Sequence, residues 1–125
     1  MTIAFFLLVA AGGFVGAPAR YMLDRAVTQR LESDLPWGTF FVNLSGSLLL
    51  GLLIALSLKG HLSGPAKALL ATGFCGAYTT FSTFTFETVR LVQDGRMLHA
   101  ATNAAASAAV GLAAAAAGFA LGLAF

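Results

Sequence analysis

The sequence predicts an all-α membrane protein whose single domain, residues 1–125, crosses the bilayer four times. The chain is 58% hydrophobic and only 10% charged, whereas soluble domains carry roughly a quarter charged residues. Its charged side chains fall into three patches, which are separated by uncharged stretches at residues 1–19, 35–58, 68–86 and 97–125. Because one spanning helix needs about 20 apolar residues, each uncharged stretch is long enough for one span.

The four spans are predicted at about residues 2–18, 37–58, 66–91 and 97–125. Pro18 is expected to end the first span, with a short amphipathic helix or loop at residues 20–34. No Lys or Arg precedes Arg20, so this stretch is expected to be a retained helix rather than a cleaved signal peptide. The second span begins at Trp37, a residue type common at membrane interfaces.

The charged residues also predict an orientation and exclude several classes of protein. Residues 20–34 and 87–96 share one side of the membrane and hold five of the seven Lys and Arg residues, which places both termini outside. The bias is modest because acidic residues interleave these five. The basic residues form no patch for nucleic acid. A single cysteine, Cys75, excludes an intrachain disulfide, and the absence of a Ser–His or Asp pair at membrane depth argues against an enzyme.

Polar residues inside the second and fourth spans are candidates for function. The second span carries Thr39, Asn43, Ser45 and Ser47. Asn43 has two N–H donors and an acceptor to satisfy; alone it favours a helix–helix hydrogen bond over a pore-facing donor. In the fourth span, Asn103 and Ser107 lie four residues apart on one helix face. They could either seal against another helix or line a path.

The third span contains a predicted helix break near the bilayer centre. Residues 73–86 place two glycines before a run of Thr, Ser and Phe, and both Gly and Thr weaken a helix. A break frees backbone carbonyls, and broken membrane helices often use such carbonyls to hold a cation such as sodium. The alternative is a kinked helix whose own hydroxyls satisfy the backbone, but this density of hydroxyls favours a functional break.

Several side chains near this break could recognise an anion. Phe81 and Phe84 share a helix face, and the edge of a Phe ring is electropositive. Ser82 and Thr85 could extend a polar track, and Glu87 is expected at the interface. Arg20 is interpreted either as a residue that snorkels to the membrane surface or as part of an anion-attracting vestibule.

Small residues four positions apart predict close helix packing. These pairs are Gly12/Gly16, Ser47/Gly51, Gly73/Ala77 and Gly118/Gly122. Most are expected to pack within one bundle, although their number also favours a second subunit.

Three phrases together resemble the Fluc/CrcB fluoride channels of bacteria and archaea. They are Gly-Gly-Phe-Val-Gly-Ala-Pro-Ala-Arg-Tyr at 12–21, Gly-Thr-Phe-Phe-Val-Asn-Leu-Ser-Gly-Ser at 38–47, and Gly-Phe-Cys-Gly-Ala-Tyr-Thr-Thr-Phe-Ser-Thr-Phe at 73–84. The resemblance covers essentially the whole chain. One departure is Ala77, which stands where the family often has a second glycine.

The resemblance implies a multi-pass protein of the cytoplasmic (inner) membrane that exports fluoride passively. It implies an antiparallel, dual-topology homodimer with two fluoride pathways and a central sodium ion that is structural and not transported. Backbone carbonyls of Gly76 and Thr79 would bind this sodium. The fluoride pathway would comprise Asn43, Phe81, Phe84, Ser82, Thr83, Glu87 and Arg20, and Thr39 and Ser107 are added as polar residues of the second and fourth spans.

Two other functions remain as alternatives. A structural or assembly subunit would explain the small-residue faces but not the Thr/Ser/Phe cluster. A small multidrug exporter needs a membrane-embedded carboxylate, and none of the four uncharged stretches contains one.

Overall fold

A computed structural model describes residues 2–125, and within these residues every regular element is helical. The elements in order are α1 (Ile3–Arg30), α2 (Trp37–Leu58), α3 (Gly64–Lys67), a π-helix (Ala68–Cys75), α4 (Gly76–Tyr78), α5 (Ser82–Gln93) and α6 (Met97–Leu123). Of these, α1, α2 and α6 are each long and apolar enough to cross a membrane. These helices confirm the prediction of an all-α, multi-pass membrane protein.

The first helix is longer than the sequence predicted. It does not end at Pro18 but continues to Arg30, so the predicted helix end is wrong. Proline removes one backbone hydrogen bond, and a membrane helix tolerates that loss when its surroundings satisfy the freed carbonyl. Beyond the proline, Arg25 Nη1 donates to Tyr21 Oη at 2.9 Å, one helical turn away. Side-chain bonds at this spacing support a helix.

Helices α2 and α6 share the most extensive helix–helix contact among residues 2–125. Glycines make this approach possible, because a Cβ atom on Gly118 would overlap the Leu48 carbonyl oxygen. A Cβ atom on Gly122 would lie 2.8 Å from the Leu52 carbonyl oxygen, and one on Gly51 would lie 3.0 Å from the Phe119 nitrogen. The backbones of α2 and α6 therefore touch directly.

A second glycine contact packs α1 against the π-helix. A Cβ atom on Gly12 would lie 2.7 Å from the Phe74 nitrogen, and one on Gly73 would lie 2.6 Å from the Val9 carbonyl oxygen. The predicted packing role of these small residues is confirmed within one chain. Because these faces already pack against helices of the same chain, they provide no argument for a second subunit.

The predicted break in the third span is confirmed. Residues 79–81 are not helical, and they separate α4 from α5. The half before the break packs mainly on α1, whereas α5 packs mainly on α6. After α5, Arg96 pairs with Asp34 of the loop between α1 and α2. The two halves therefore follow one another along the length of the bundle, and the break lies between them.

The π-helix before the break was not predicted. Its turns are wider than those of an α-helix, and such segments are frequent at functional sites. Here the widened segment carries Gly73, which meets α1, and it leads directly into the break.

Candidate functional site

The side chain of Asn43 holds the backbone of the break. Its Nδ2 donates to the carbonyl oxygen of Thr80 at 2.8 Å, and the Thr80 N–H donates to its Oδ1 at 2.8 Å. The amide of α2 thus pairs with both backbone groups of one residue, which we call the Asn43 clamp. Asn43 thus forms the expected structural hydrogen bond, but its partner is the backbone of the break and not another helix. Because Nδ2 carries two hydrogens, one remains for another acceptor.

Thr80 itself was missed as a site residue by the sequence reasoning. Its Oγ1 accepts a hydrogen bond from the Thr83 N–H at 3.1 Å and so caps the start of α5. A Thr placed just before a helix, three residues from the N–H that it caps, is a standard capping pattern. That spacing was the available signal.

The break leaves the carbonyls of residues 76–79 without their helical partners, and the clamp and the cap account for two of them. In an unbroken helix, the Gly76 carbonyl would accept from the Thr80 N–H, and the Thr79 carbonyl from the Thr83 N–H. Both N–H groups instead bond to side chains, Asn43 Oδ1 and Thr80 Oγ1. Carbonyls freed in this way at membrane depth need protein or a bound ion around them. These two residues are the ones that the family resemblance assigns to sodium.

Neighbouring hydroxyl groups satisfy other carbonyls near the break. Thr79 Oγ1 donates to the Cys75 carbonyl at 2.9 Å, and Thr85 Oγ1 donates to the Phe81 carbonyl at 2.9 Å. Among the hydrogen bonds of residues 2–125, none reaches the Gly76 or Thr79 carbonyl from a hydroxyl. The kinked-helix alternative, in which hydroxyls satisfy the whole break, therefore fails at these two carbonyls.

A cleft of about 380 Å³ lies beside the break. The polar and aromatic residues that line this break cleft are Asn43, Ser47, Thr79, Thr80, Phe81, Phe84 and Ser107. The Phe81 and Phe84 rings have centroids 6.0 Å apart, and 78% of the Phe81 surface is exposed. The structure thus brings Asn43, both phenylalanines and Ser107 to one place. Ser47 is a further lining residue that the list of predicted pathway residues lacked.

A smaller cavity of about 140 Å³ lies on the other side of Thr80. It is lined by Arg20, Asp24, Thr39 and Thr83 together with Thr80. We call it the Arg20 cavity. Because Thr80 lines both spaces, the Arg20 cavity and the break cleft are adjacent.

A third cavity, of about 260 Å³, reaches the surface near the loop between α1 and α2. Glu87 lines it, and the Glu87 carboxylate accepts a hydrogen bond from Thr39, which is only 4% exposed. Thr39 in turn lines the Arg20 cavity. The three cavities therefore form a series that is linked by Thr80 and by the Thr39–Glu87 hydrogen bond.

Two predicted residues lie outside this series of cavities. Ser82 is exposed, and its Oγ is 3.5 Å from Thr80 Oγ1. Gly76 is also exposed, which leaves the surface near its carbonyl open to a ligand or another chain.

The polar face of α6 divides into two roles. Asn103 is 7% exposed, and its Nδ2 donates to Thr88 Oγ1 of α5 at 2.8 Å. Ser107 Oγ lies 3.5 Å from Asn103 Oδ1 and lines the break cleft. Of the two interpretations of this face, Asn103 fits the seal between helices and Ser107 fits the path.

Comparison with known proteins identifies the family. The family model described as "CrcB-like protein, Camphor Resistance (CrcB)" matches residues 7–119. The chain belongs to the CrcB family. This match spans all three phrases that carried the resemblance, as well as the Asn43 clamp and the break cleft.

Similar proteins agree over nearly their full lengths. "Fluoride-specific ion channel FluC 1" of Streptomyces avermitilis is 52% identical over 113 residues, which is 90% of this chain and 91% of that protein. A protein of the same name from Frankia casuarinae is 48% identical, covering 93% and 94% of the two chains. "Fluoride-specific ion channel FluC" of Thermus thermophilus is 45% identical over 94% of each chain.

Thr80→Val tests the capping role of this CrcB-family residue. Valine keeps the shape of the side chain but cannot accept the Thr83 N–H bond, so we expect a loss of about 1 kcal/mol of stability. Thermal unfolding in detergent measures it. The matched control is Thr102→Val on the exposed surface of α6, which should leave the midpoint nearly unchanged. Equal shifts in the two variants would show that the cap contributes nothing.

Proposed function

We propose that this chain is a fluoride-selective ion channel, not an enzyme, and that it passively exports fluoride across the cytoplasmic membrane. The observation that carries the proposal is the break cleft, where an amide donor, hydroxyls and two phenylalanine rings meet beside freed carbonyls. Similar proteins of the same family bear the name fluoride-specific ion channel. Relief of fluoride toxicity would follow from this export.

The groups of the break cleft suit a small, strongly hydrated anion. A channel must replace the water around fluoride with fixed donors, without binding the ion so tightly that it cannot leave. The second N–H of Asn43 can donate a hydrogen bond, and the Ser107 hydroxyl can do so by giving up its 3.5 Å bond to Asn103 Oδ1. The edges of Phe81 and Phe84 are weakly positive. None of these four groups carries a full charge, so release remains easy.

The series of cavities provides a route between the surface and the break cleft. We assign Arg20, Thr39, Thr83 and Glu87 to this route, with Ser82 at its exposed side. Arg20 supplies positive charge beside Asp24. A negative-inside membrane potential drives an anion outward with about 2.3 kcal/mol per 100 mV, so export needs no other energy source.

We assign a structural sodium ion to the freed carbonyls of Gly76 and Thr79. Unwound backbone carbonyls are a common ligand for sodium in membrane proteins, and the clamp and the cap leave these two available. A bound cation would supply fixed positive charge that favours an anion nearby. The ion is part of the framework and is not transported.

We further propose that the channel is an antiparallel homodimer. A two-fold axis in the membrane plane would bring a second pair of Gly76 and Thr79 carbonyls to the same sodium. It would also cover Phe81, most of whose surface is exposed in the single chain. Two break clefts per dimer would then give two separate fluoride pathways.

Efflux from liposomes tests the proposal. Purified protein is reconstituted, and fluoride and chloride efflux are compared under an imposed potential, with sodium present or replaced by a large organic cation. We expect rapid fluoride loss with little chloride loss, and weaker dimer assembly without sodium. No loss of either anion from an intact dimer in sodium would overturn the channel and favour a structural subunit.

A further inference from the structure

A further cavity lies away from the break, at the end of the bundle where α1 begins. It has a volume of about 560 Å³ and lies between the first turns of α1 and the chain around α3. Phe5, Leu8 and Ala68 make its walls apolar, and Lys67 and Thr72 lie along it. We call it the Lys67 cavity. Its volume is within the usual range for small-molecule pockets.

The formal net charge of +2 comes from the two lysines at this end of the bundle, because the five arginines balance the five carboxylate side chains. All five carboxylate side chains lie between residues 24 and 34 or between 87 and 94. Asp24 is 20 residues along α1 from the cavity residue Ala4, which is about 30 Å at the helical rise. Glu87 bonds Thr39 at the start of α2, whereas Lys59 follows the far end of that helix. The two lysines Lys59 and Lys67 therefore have no carboxylate side chain near them.

The two lysines differ in their partners. Lys59 Nζ donates to the Leu123 carbonyl at 2.8 Å and so caps the end of α6. Lys67 is exposed, and within residues 2–125 its ammonium group forms no ion pair or hydrogen bond. Among the described residues, Lys67 is therefore a side-chain cation at this end that is available to an external anion.

The surface around the cavity is apolar and exposed. Ile3, Phe6 and Leu7 of α1 are largely exposed, and α1 is apolar enough to cross a membrane. A space with apolar walls and a cation near the level of the membrane surface matches the two parts of a phospholipid. Basic pockets between membrane helices are known to hold anionic head groups.

We propose that the Lys67 cavity binds an anionic phospholipid. One acyl chain would lie along Phe5, Leu8 and Ala68, and the phosphate would pair with the Lys67 ammonium group. A zwitterionic lipid would fill the same apolar space, but its own ammonium group would compete with Lys67 for the phosphate. The site is therefore selective for head groups with net negative charge.

Native mass spectrometry tests the site. Wild-type protein in detergent is incubated with equal amounts of phosphatidylglycerol and phosphatidylcholine, and retained lipid is counted per chain. A lysine near a charged head group gives a preference of about fivefold. We expect this preference for phosphatidylglycerol in the wild type and its loss in Lys67→Gln. Lys59→Gln is the matched control and should keep it.

A second variant tests the contribution of the apolar cavity separately from that of the Lys67 charge. Ala4→Phe fills the Lys67 cavity, and we expect it to lower retention of both lipids while Lys67 remains. Equal retention of the two lipids by the wild type, or an unchanged preference in Lys67→Gln, would overturn the proposal. It would also be overturned if inorganic phosphate removed the preference, or if Ala4→Cys readily cross-linked two copies of the chain through this cavity.

Discussion

Asn43→Asp is expected to reduce fluoride conduction by more than about 100-fold. The carboxylate would still accept the Thr80 N–H, but it would lose the bond to the Thr80 carbonyl and face that oxygen instead. An ionised carboxylate also repels an anion in the break cleft and has no donor to offer it. Two like charges about 4 Å apart repel by about 4 kcal/mol at an effective dielectric constant of about 20, which alone exceeds a change of about 100-fold. Fluoride efflux from liposomes measures the change.

The matched control for this variant is Asn103→Asp. Asn103 is also a buried amide, but its partner is the Thr88 hydroxyl, which can reverse and donate to a carboxylate. We expect the Asn103 variant to keep a much larger share of the flux than the Asn43 variant. Conduction near that of the wild type in Asn43→Asp, with the Asp ionised, would remove Asn43 from the pathway.

Phe81→Ile and Phe84→Ile are each expected to lower fluoride flux by about fivefold without preventing assembly. Isoleucine keeps apolar bulk but has no electropositive ring edge, and a favourable aromatic contact is worth about 1 kcal/mol. Phe81 is mostly exposed in the single chain, and isoleucine keeps an apolar surface for the proposed dimer contact, so its replacement should affect fold and assembly little. Flux in liposomes and size-exclusion chromatography of each variant measure the two effects separately.

Phe6→Ile serves as the control for the phenylalanine variants. Phe6 lies on the exposed surface of α1, outside the break cleft, so its replacement should leave flux unchanged. If all three variants conducted like the wild type, the phenylalanine rings would have no part in the selectivity. If all three lost flux equally, the effect would be one of folding or insertion.

Much of the fold could be predicted because apolar length and helix-breaking residues are local properties. The predicted second span has the same bounds as α2, and the fourth begins at Met97 as predicted. The break was predicted from glycine and threonine and lies at residues 79–81. The end of α1 was wrong because the helical surroundings of Pro18 override its local tendency to stop a helix.

The candidate site could be predicted by residue type but not by partner. Asn43 was identified as a costly amide with two possible roles, and only the fold shows that it bonds the Thr80 backbone. Thr80 was missed because its role depends on α2 as well as on its own helix. The packing partners of the glycines could not be predicted either, because Gly118 contacts Leu48, which lies 70 residues earlier in the sequence.

The Asn43 clamp makes the break a rigid element and not a hinge. Two hydrogen bonds of 2.8 Å fix Thr80 to α2, and the cap fixes the start of α5. The conformational entropy of this irregular segment is therefore lost when the chain folds and not when an ion binds. Ligands that enter a preorganised site lose less affinity to such ordering. Weak, uncharged contacts can then select an ion and still release it quickly.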